Sequence, residues 1–212
     1  MRVCLVLGST RSSGPPRPAP LGARVGAFME RAVARRGCEI DVVDPVVEAL
    51  PLLEKPHFAY GRAPAALDAL AARLAAADAY VMVTPEYNHA PGPALLNLVD
   101  HFGSSIFSFK SSLIVSYSAG QWGGTRAAHA LRPILSELGC LPVSAMVHVP
   151  RAQEQFDADG RPASEGWDAY ADRGVSQLLW WAAAAKNHRG PEDPFESSPA
   201  FRAAPSQRNA PS

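Results

Sequence analysis

Cysteine is scarce in this chain of 212 residues. Cys4, Cys38 and Cys140 make an odd number with no CxxC pair. That excludes a disulfide framework and a cysteine-based zinc site, and fits reduced thiols of a cytoplasmic protein. An excess of charge of either sign is also missing, since 20 Lys+Arg stand against 20 Asp+Glu. A nucleic-acid-binding domain needs a basic surplus to replace phosphate counterions. A polybasic membrane-surface protein needs one too. A small electron carrier generally shows an acidic docking face. None of the three fits a formal charge of zero. Long apolar runs are absent as well. The longest, Leu178 to Ala185, falls far short of the roughly 20 residues that span a bilayer. The apolar stretch from Val3 to Gly8 is too short for a signal-peptide core, and no cleavage site follows it. The six histidines, His57, His89, His101, His129, His148 and His188, show no HxH or HxxxH spacing, so no metal site is expected.

What the chain does have is strand–helix alternation. Hydrophobic residues make up 47% of it, enough for one packed domain. Apolar, β-branched runs at Val3–Leu7, Ile40–Val43, Ala79–Thr84, Leu113–Tyr117 and Val143–Val149 read as strands. Several are continuous rather than alternating, as in a parallel sheet covered on both faces. Helical faces lie between them. Leu21, Val25, Phe28, Met29, Ala32 and Val33 form one, with Gly37 as its stop, and Leu67, Leu70, Ala71 and Leu74 form a second. Pro93 opens a third, carrying Leu95, Leu98, Val99 and Phe102. Ala127, Leu131, Leu135 and Leu138 mark a fourth, in which Pro133 predicts a kink or a first half that is a separate turn. A fifth runs from about Trp167 to Lys186. The expected fold is α/β: a flavodoxin-like, doubly wound, five-stranded parallel sheet of order 2-1-3-4-5 over residues 1–189. Residues 190–212 turn polar and proline-rich and read as a disordered tail.

In such a sheet the ligand binds at the carboxyl ends of the strands. The loop after the first strand, Gly8-Ser9-Thr10-Arg11-Ser12-Ser13-Gly14, offers hydroxyls, backbone N–H groups and an arginine before a helix N-terminus, which suits a phosphate. It is neither GxGxxG nor a P-loop. The loop after the third strand is Thr84-Pro85-Glu86-Tyr87-Asn88-His89-Ala90-Pro91-Gly92, stiffened by two prolines. The loop after the fourth is Ser118-Ala119-Gly120-Gln121-Trp122-Gly123-Gly124-Thr125, whose glycines let the backbone approach something flat.

GSTR, TPEYNHAPGPALLNLVDHF and YSAGQWGGTRAA, in this order, resemble the NADPH-dependent FMN reductase family over about residues 1–150. The resemblance implies FMN as cofactor, NADPH as donor and a quinone, free flavin or similar small molecule as acceptor. It implies that Ser9 and Arg11 hold the FMN phosphate. Pro85, Glu86, Tyr87 and Asn88 would frame the flavin ring, and Ser118, Gly120, Gly123 and Gly124 would line its other side. No catalytic side chain is needed, because the flavin carries the chemistry. A homodimer through the helices after the third and fourth strands is implied too, at Leu96–Phe102 and Thr125–Leu138. One departure is the insertion Ser12–Pro20, SSGPPRPAP, which either loosens the phosphate site or folds over it as a lid with Arg17. Two other functions compete. One is a serine hydrolase, with Ser118 in Ser116-Tyr117-Ser118-Ala119-Gly120 as nucleophile and Asp157 and His188 as partners. The other is a non-enzymatic flavodoxin-like electron carrier.

Overall fold

In a computed structural model, residues 1–202 are described. Strand β1 (Arg2–Leu7) leads to helix α1 (Leu21–Ala34) and strand β2 (Glu39–Val43). Helices α2 (Pro45–Glu48) and α3 (Ala65–Ala76) precede β3 (Ala79–Tyr87), a short β4 (Ala90–Pro91), α4 (Pro93–His101) and α5 (Ser104–Phe107). Then come β5 (Ser111–Tyr117), α6 (Thr125–Glu137), β6 (Leu141–Pro142), β7 (Val147–Val149), α7 (Trp167–Arg189) and α8 (Pro194–Ser197).

The sheet order is β2-β1-β3-β5-β6, with β4 paired to β3 and β7 paired to β5. This is the expected 2-1-3-4-5 winding with two differences. Of the run read as one strand over Val143–Val149, only Val147–Val149 is strand, and the separate β6 lies before it. Ser111 pairs with Leu141, but Val115 pairs with Val147, so two extra residues bulge out between β6 and β7. Pro142 brings no N–H to the ladder, and the backbone N–H of Ala145 is drawn to Gln177 Oε1 at 2.9 Å instead. The second difference is the β3–β4 hairpin, described below.

Strand residues alternate between two cores. Leu5, Val81 and Val115 pack with α1 and α7 on one face. Cys4, Val6, Tyr80, Met82 and Ile114 pack with α3, α4 and α6 on the other. Helix α6 runs through Pro133 as one element, with no separate turn in its first half. Pro133 is exposed, so water can replace the backbone hydrogen bond that it forfeits.

The expected tail differs most. Residues 190–202 carry α8 and a 3₁₀ turn at Pro199–Phe201. Phe195 and Phe201 both pack edge-on against Phe109, with ring centroids 5.5 and 5.4 Å away. Two aromatic anchors suffice to dock a segment whose average composition is polar. The rest of the expected tail, residues 203–212, lies outside the described residues.

Candidate active site

The carboxyl ends of β1, β3 and β5 lie side by side, and the loops that leave them converge. Gly8 ends β1 under close crowding. A Cβ there would stand 2.6 Å from the Val83 carbonyl and 3.0 Å from Leu95 Cβ. In the loop that follows, Ser9 Oγ accepts from Arg11 N–H at 3.2 Å and shares a 3.3 Å hydrogen bond with the Tyr87 hydroxyl. The Arg11 guanidinium donates to the Pro15 carbonyl, which fastens the start of the loop to the proline-rich insertion.

The second loop is tighter than its sequence predicts. β3 continues through Pro85 to Tyr87, then turns at Asn88 and His89 and pairs back through Ala90 and Pro91. Both turn residues have positive φ, 51° and 67°, as a two-residue primed hairpin turn requires. Buried Thr84 closes the hairpin from inside. Its Oγ1 accepts from Gly92 N–H and donates to the Pro85 carbonyl, both at 2.9 Å.

Glu86 leaves the hairpin in the other direction. Its carboxylate accepts from the Arg126 and Ala127 backbone N–H groups at 3.1 and 3.3 Å, and from Arg126 Nε at 2.8 Å. Burial opposes ionisation there. Arg126 and the two N–H groups of the first turn of α6 outweigh it and hold the carboxyl below its usual range. Glu86 therefore caps α6, whose own N-cap, Gly124, has no side chain to do so.

In the third loop the glycines do different work. Gly123 and Gly124 are buried with φ of 60° and 77°. A Cβ on Gly123 would meet Pro150 N at 2.9 Å, and one on Gly124 would meet Ser116 Cβ and Tyr117 N at 2.9 Å. They press the loop onto β5 and the residues after β7. Gly120 is open, with only Ser118 Oγ, 3.9 Å away, near such an atom. Ser118 Oγ donates to the Gly120 carbonyl at 3.1 Å, and the Trp122 side chain is exposed.

Between the first loop and these two lies a cavity of about 200 Å³. Of the expected residues, Ser9, Arg11, Pro85, Glu86, Tyr87 and Ser118 line it. Asn88, Gly120, Gly123 and Gly124 do not. The insertion supplies a wall through Ser13, Pro15, Pro16, Ala19 and Pro20. Arg17 faces a separate, shallow depression with Ser12, Gly14 and Pro18. Gly22 and Tyr117 also line the cavity and escaped the sequence reading. Tyr117 ends a strand legible only as core, and nothing local says that its hydroxyl reaches a site.

The donor set fits a phosphate monoester. Ser9, Ser13, Tyr87 and Tyr117 bring hydroxyls, and Arg11 brings a cation. The N-terminus of α1 has no side-chain cap and no acidic residue in its first turn. The one carboxylate in the lining, Glu86, is already spent on α6.

The hydrolase triad is not assembled. Ser118 follows the carboxyl end of β5. His188 lines a different cavity with Lys110 and Ser111, at the start of that strand, roughly 20 Å away at about 3.3 Å per residue. Its ring pairs with Glu192 at 3.3 Å. Asp157 is bound to the Arg161 and Asp159 backbone N–H groups.

Residues 1–154 match the family of NADPH-dependent FMN reductases. A NAD(P)H-dependent FMN reductase of Pseudomonas aeruginosa is 34% identical over 129 residues, which are 59% of this chain and 68% of that protein. A quinone reductase of Escherichia coli is 32% identical over 106 residues, 49% of this chain and 56% of that one. Among solved structures, the flavoenzyme NAD(P)H:(acceptor) oxidoreductase FerB of Paracoccus denitrificans superposes with a TM-score of 0.69. It is 19% identical, and the match covers 87% of this chain and 98% of that one, so it shows the fold. The matched residues take in every strand of the sheet and all three loops of the cavity, and the chain belongs to the NADPH-dependent FMN reductase family, with FMN as cofactor and NAD(P)H as electron donor.

Proposed function

We propose that this protein uses NADPH to reduce a quinone, a free flavin or a similar small acceptor, with FMN resident at the strand ends. The observation that carries this reading is the cavity rich in donors between the uncapped start of α1 and the loops after β3 and β5. FMN, when bound, supplies the hydride and electron transfer, so no side chain is assigned as acid or base. Ser9 and Arg11 hold the phosphate. Pro85, Glu86, Tyr87 and Asn88 shape one side of the ring site, chiefly through the rigid hairpin, with Glu86 anchoring it to α6. Ser118 and Gly120 border the other side. Gly123 and Gly124 act from behind by fixing the path of that loop. The remainder of the reading is a cytoplasmic homodimer joined through α4 and α6. No helix among the described residues is long and apolar enough to cross a membrane.

The test is a visible absorption spectrum of the purified protein, a fluorescence-quenching titration with FMN and an NADPH–quinone assay. The expected result is one FMN per chain and quinone-dependent NADPH oxidation. A colourless protein that takes up no FMN overturns the proposal.

Two substitutions probe the site. Arg11→Ala should weaken FMN binding by about 1.5–3 kcal/mol, the usual worth of a hydrogen bond to a charged group. The fold should survive, because Arg11 is exposed and supports no core. Unchanged FMN affinity would place the phosphate elsewhere. Ser118→Ala should slow quinone reduction by roughly tenfold or less, because only one neutral hydrogen bond, to Gly120, is lost. A nucleophilic serine would instead lose activity on the order of 10⁶-fold, in an ester-hydrolysis assay.

A further inference from the structure

Tyr117 is 5% exposed, with its ring packed in the core cluster that α1 also joins. Its hydroxyl reaches the cavity at the first turn of α1. A Cβ on Gly22 would stand 2.6 Å from the Tyr117 hydroxyl oxygen and 3.7 Å from Ser9 Cβ. Glycine at position 22 is therefore what leaves room for this hydroxyl.

The helix start itself has no donor side chain to offer. Pro20 is the N-cap, Leu21 follows it, and no side chain caps the turn. The place where a phosphate would meet the helix therefore has no hydroxyl or amide side chain of the helix's own. Tyr117 arrives at the same place from below, off the end of β5. Ser9 lies within hydrogen-bonding reach of it, and Tyr87 and Arg11 stand nearby. Burial pushes the Tyr117 phenol up, more than the Ser9 hydrogen bond and the Arg11 charge lower it. The group stays protonated, and so remains a donor, at any pH near neutrality.

We propose that Tyr117 is a phosphate-binding residue of this protein, donating across Gly22 to the phosphate monoester of FMN at a helix start whose own residues, Pro20 and Leu21, bring no donor side chain. The inference rests on the proposed FMN site and adds a residue to it. Gly22 and Tyr117 act as a pair, one providing the space and the other filling it.

The experiment compares FMN with riboflavin, which lacks the phosphate. Dissociation constants for both are measured by flavin-fluorescence quenching on the wild type, Tyr117→Phe and Gly22→Ala, and ³¹P NMR is recorded on the bound FMN. Phenylalanine keeps the packed ring, so the fold is expected to persist. Tyr117→Phe should weaken FMN about tenfold or more, leave riboflavin unchanged and move the phosphorus resonance. Gly22→Ala should act in the same FMN-selective way by displacing the hydroxyl, and it decides the matter if Tyr117→Phe does not fold. Equal FMN affinity with an unmoved phosphorus signal overturns the inference. So does an equal loss of FMN and riboflavin, which marks a structural role. A wild type that binds no FMN overturns the proposed function as well, and is recognised because the failure is in the unmodified protein.

Discussion

Gly124→Val is expected to lower the stability of the apoprotein by about 2–5 kcal/mol and to abolish FMN uptake. Two costs add. A β-branched residue at φ +77° carries about 1–2 kcal/mol of left-handed backbone strain. Its Cβ would also stand 2.9 Å from Ser116 Cβ and Tyr117 N, and forcing atoms into a packed strand costs about 1–3 kcal/mol. The loop cannot stay where it is, and three things move with it. The Glu86 cap on the first turn of α6 is lost, the Ser118 side of the cavity shifts, and Tyr117 at the end of β5 is disturbed. Thermal unfolding of the apoproteins should show a drop on the order of ten degrees. FMN titration should show no quenching. Gly120→Ala is the control from the same loop: its Cβ meets open space, so its melting temperature should match that of the wild type. Equal melting temperatures and FMN affinity for Gly124→Val and the wild type would show that the backbone crowding is not what places the loop.

Deleting residues 190–212 is expected to cost about 1.5–3 kcal/mol while leaving FMN affinity unchanged. Phe195 and Phe201 are each half-buried against Phe109. Full burial of such a ring contributes roughly 1.5–3 kcal/mol, and half of that for two rings gives the figure. The Phe201 carbonyl also accepts from buried Ser104 Oγ at 2.8 Å, and Gly139 packs against the Phe201 ring. All these contacts lie near the start of β5, at the other end of the sheet from the FMN cavity, which is why affinity should not follow stability. The full-length double variant Phe195→Ala/Phe201→Ala should reproduce most of the loss and so assign it to the rings. A truncated protein that melts like the wild type would return the segment to the role that its composition predicts.

The sequence by itself determined the fold class, the winding of the sheet and the three loops that build the site. These follow from local patterns. Apolar, β-branched runs such as Val3–Leu7 mark strands buried on both faces, and helical faces such as Val25, Phe28, Met29 and Val33 lie between them. Glycine and proline mark where each loop begins. Arg11 and Ser9 were legible as lining residues because they belong to a hydroxyl-rich loop between a strand and a helix. What only the tertiary structure decided depends on distances between residues far apart in sequence. Gly123 presses on the end of β7 and Gly124 on β5, which stayed hidden because the sequence records that they lack a Cβ but not what stands opposite. Glu86 caps a helix that begins 39 residues later, at Thr125. Phe195 and Phe201 dock a segment whose mean composition is that of a tail, since two rings that find a partner outweigh an average over polar neighbours. Tyr117 has two environments, a core for its ring and a cavity for its hydroxyl. Periodicity reports only the first, because the second exists only once α1 is laid across the end of β5 with a glycine at the crossing.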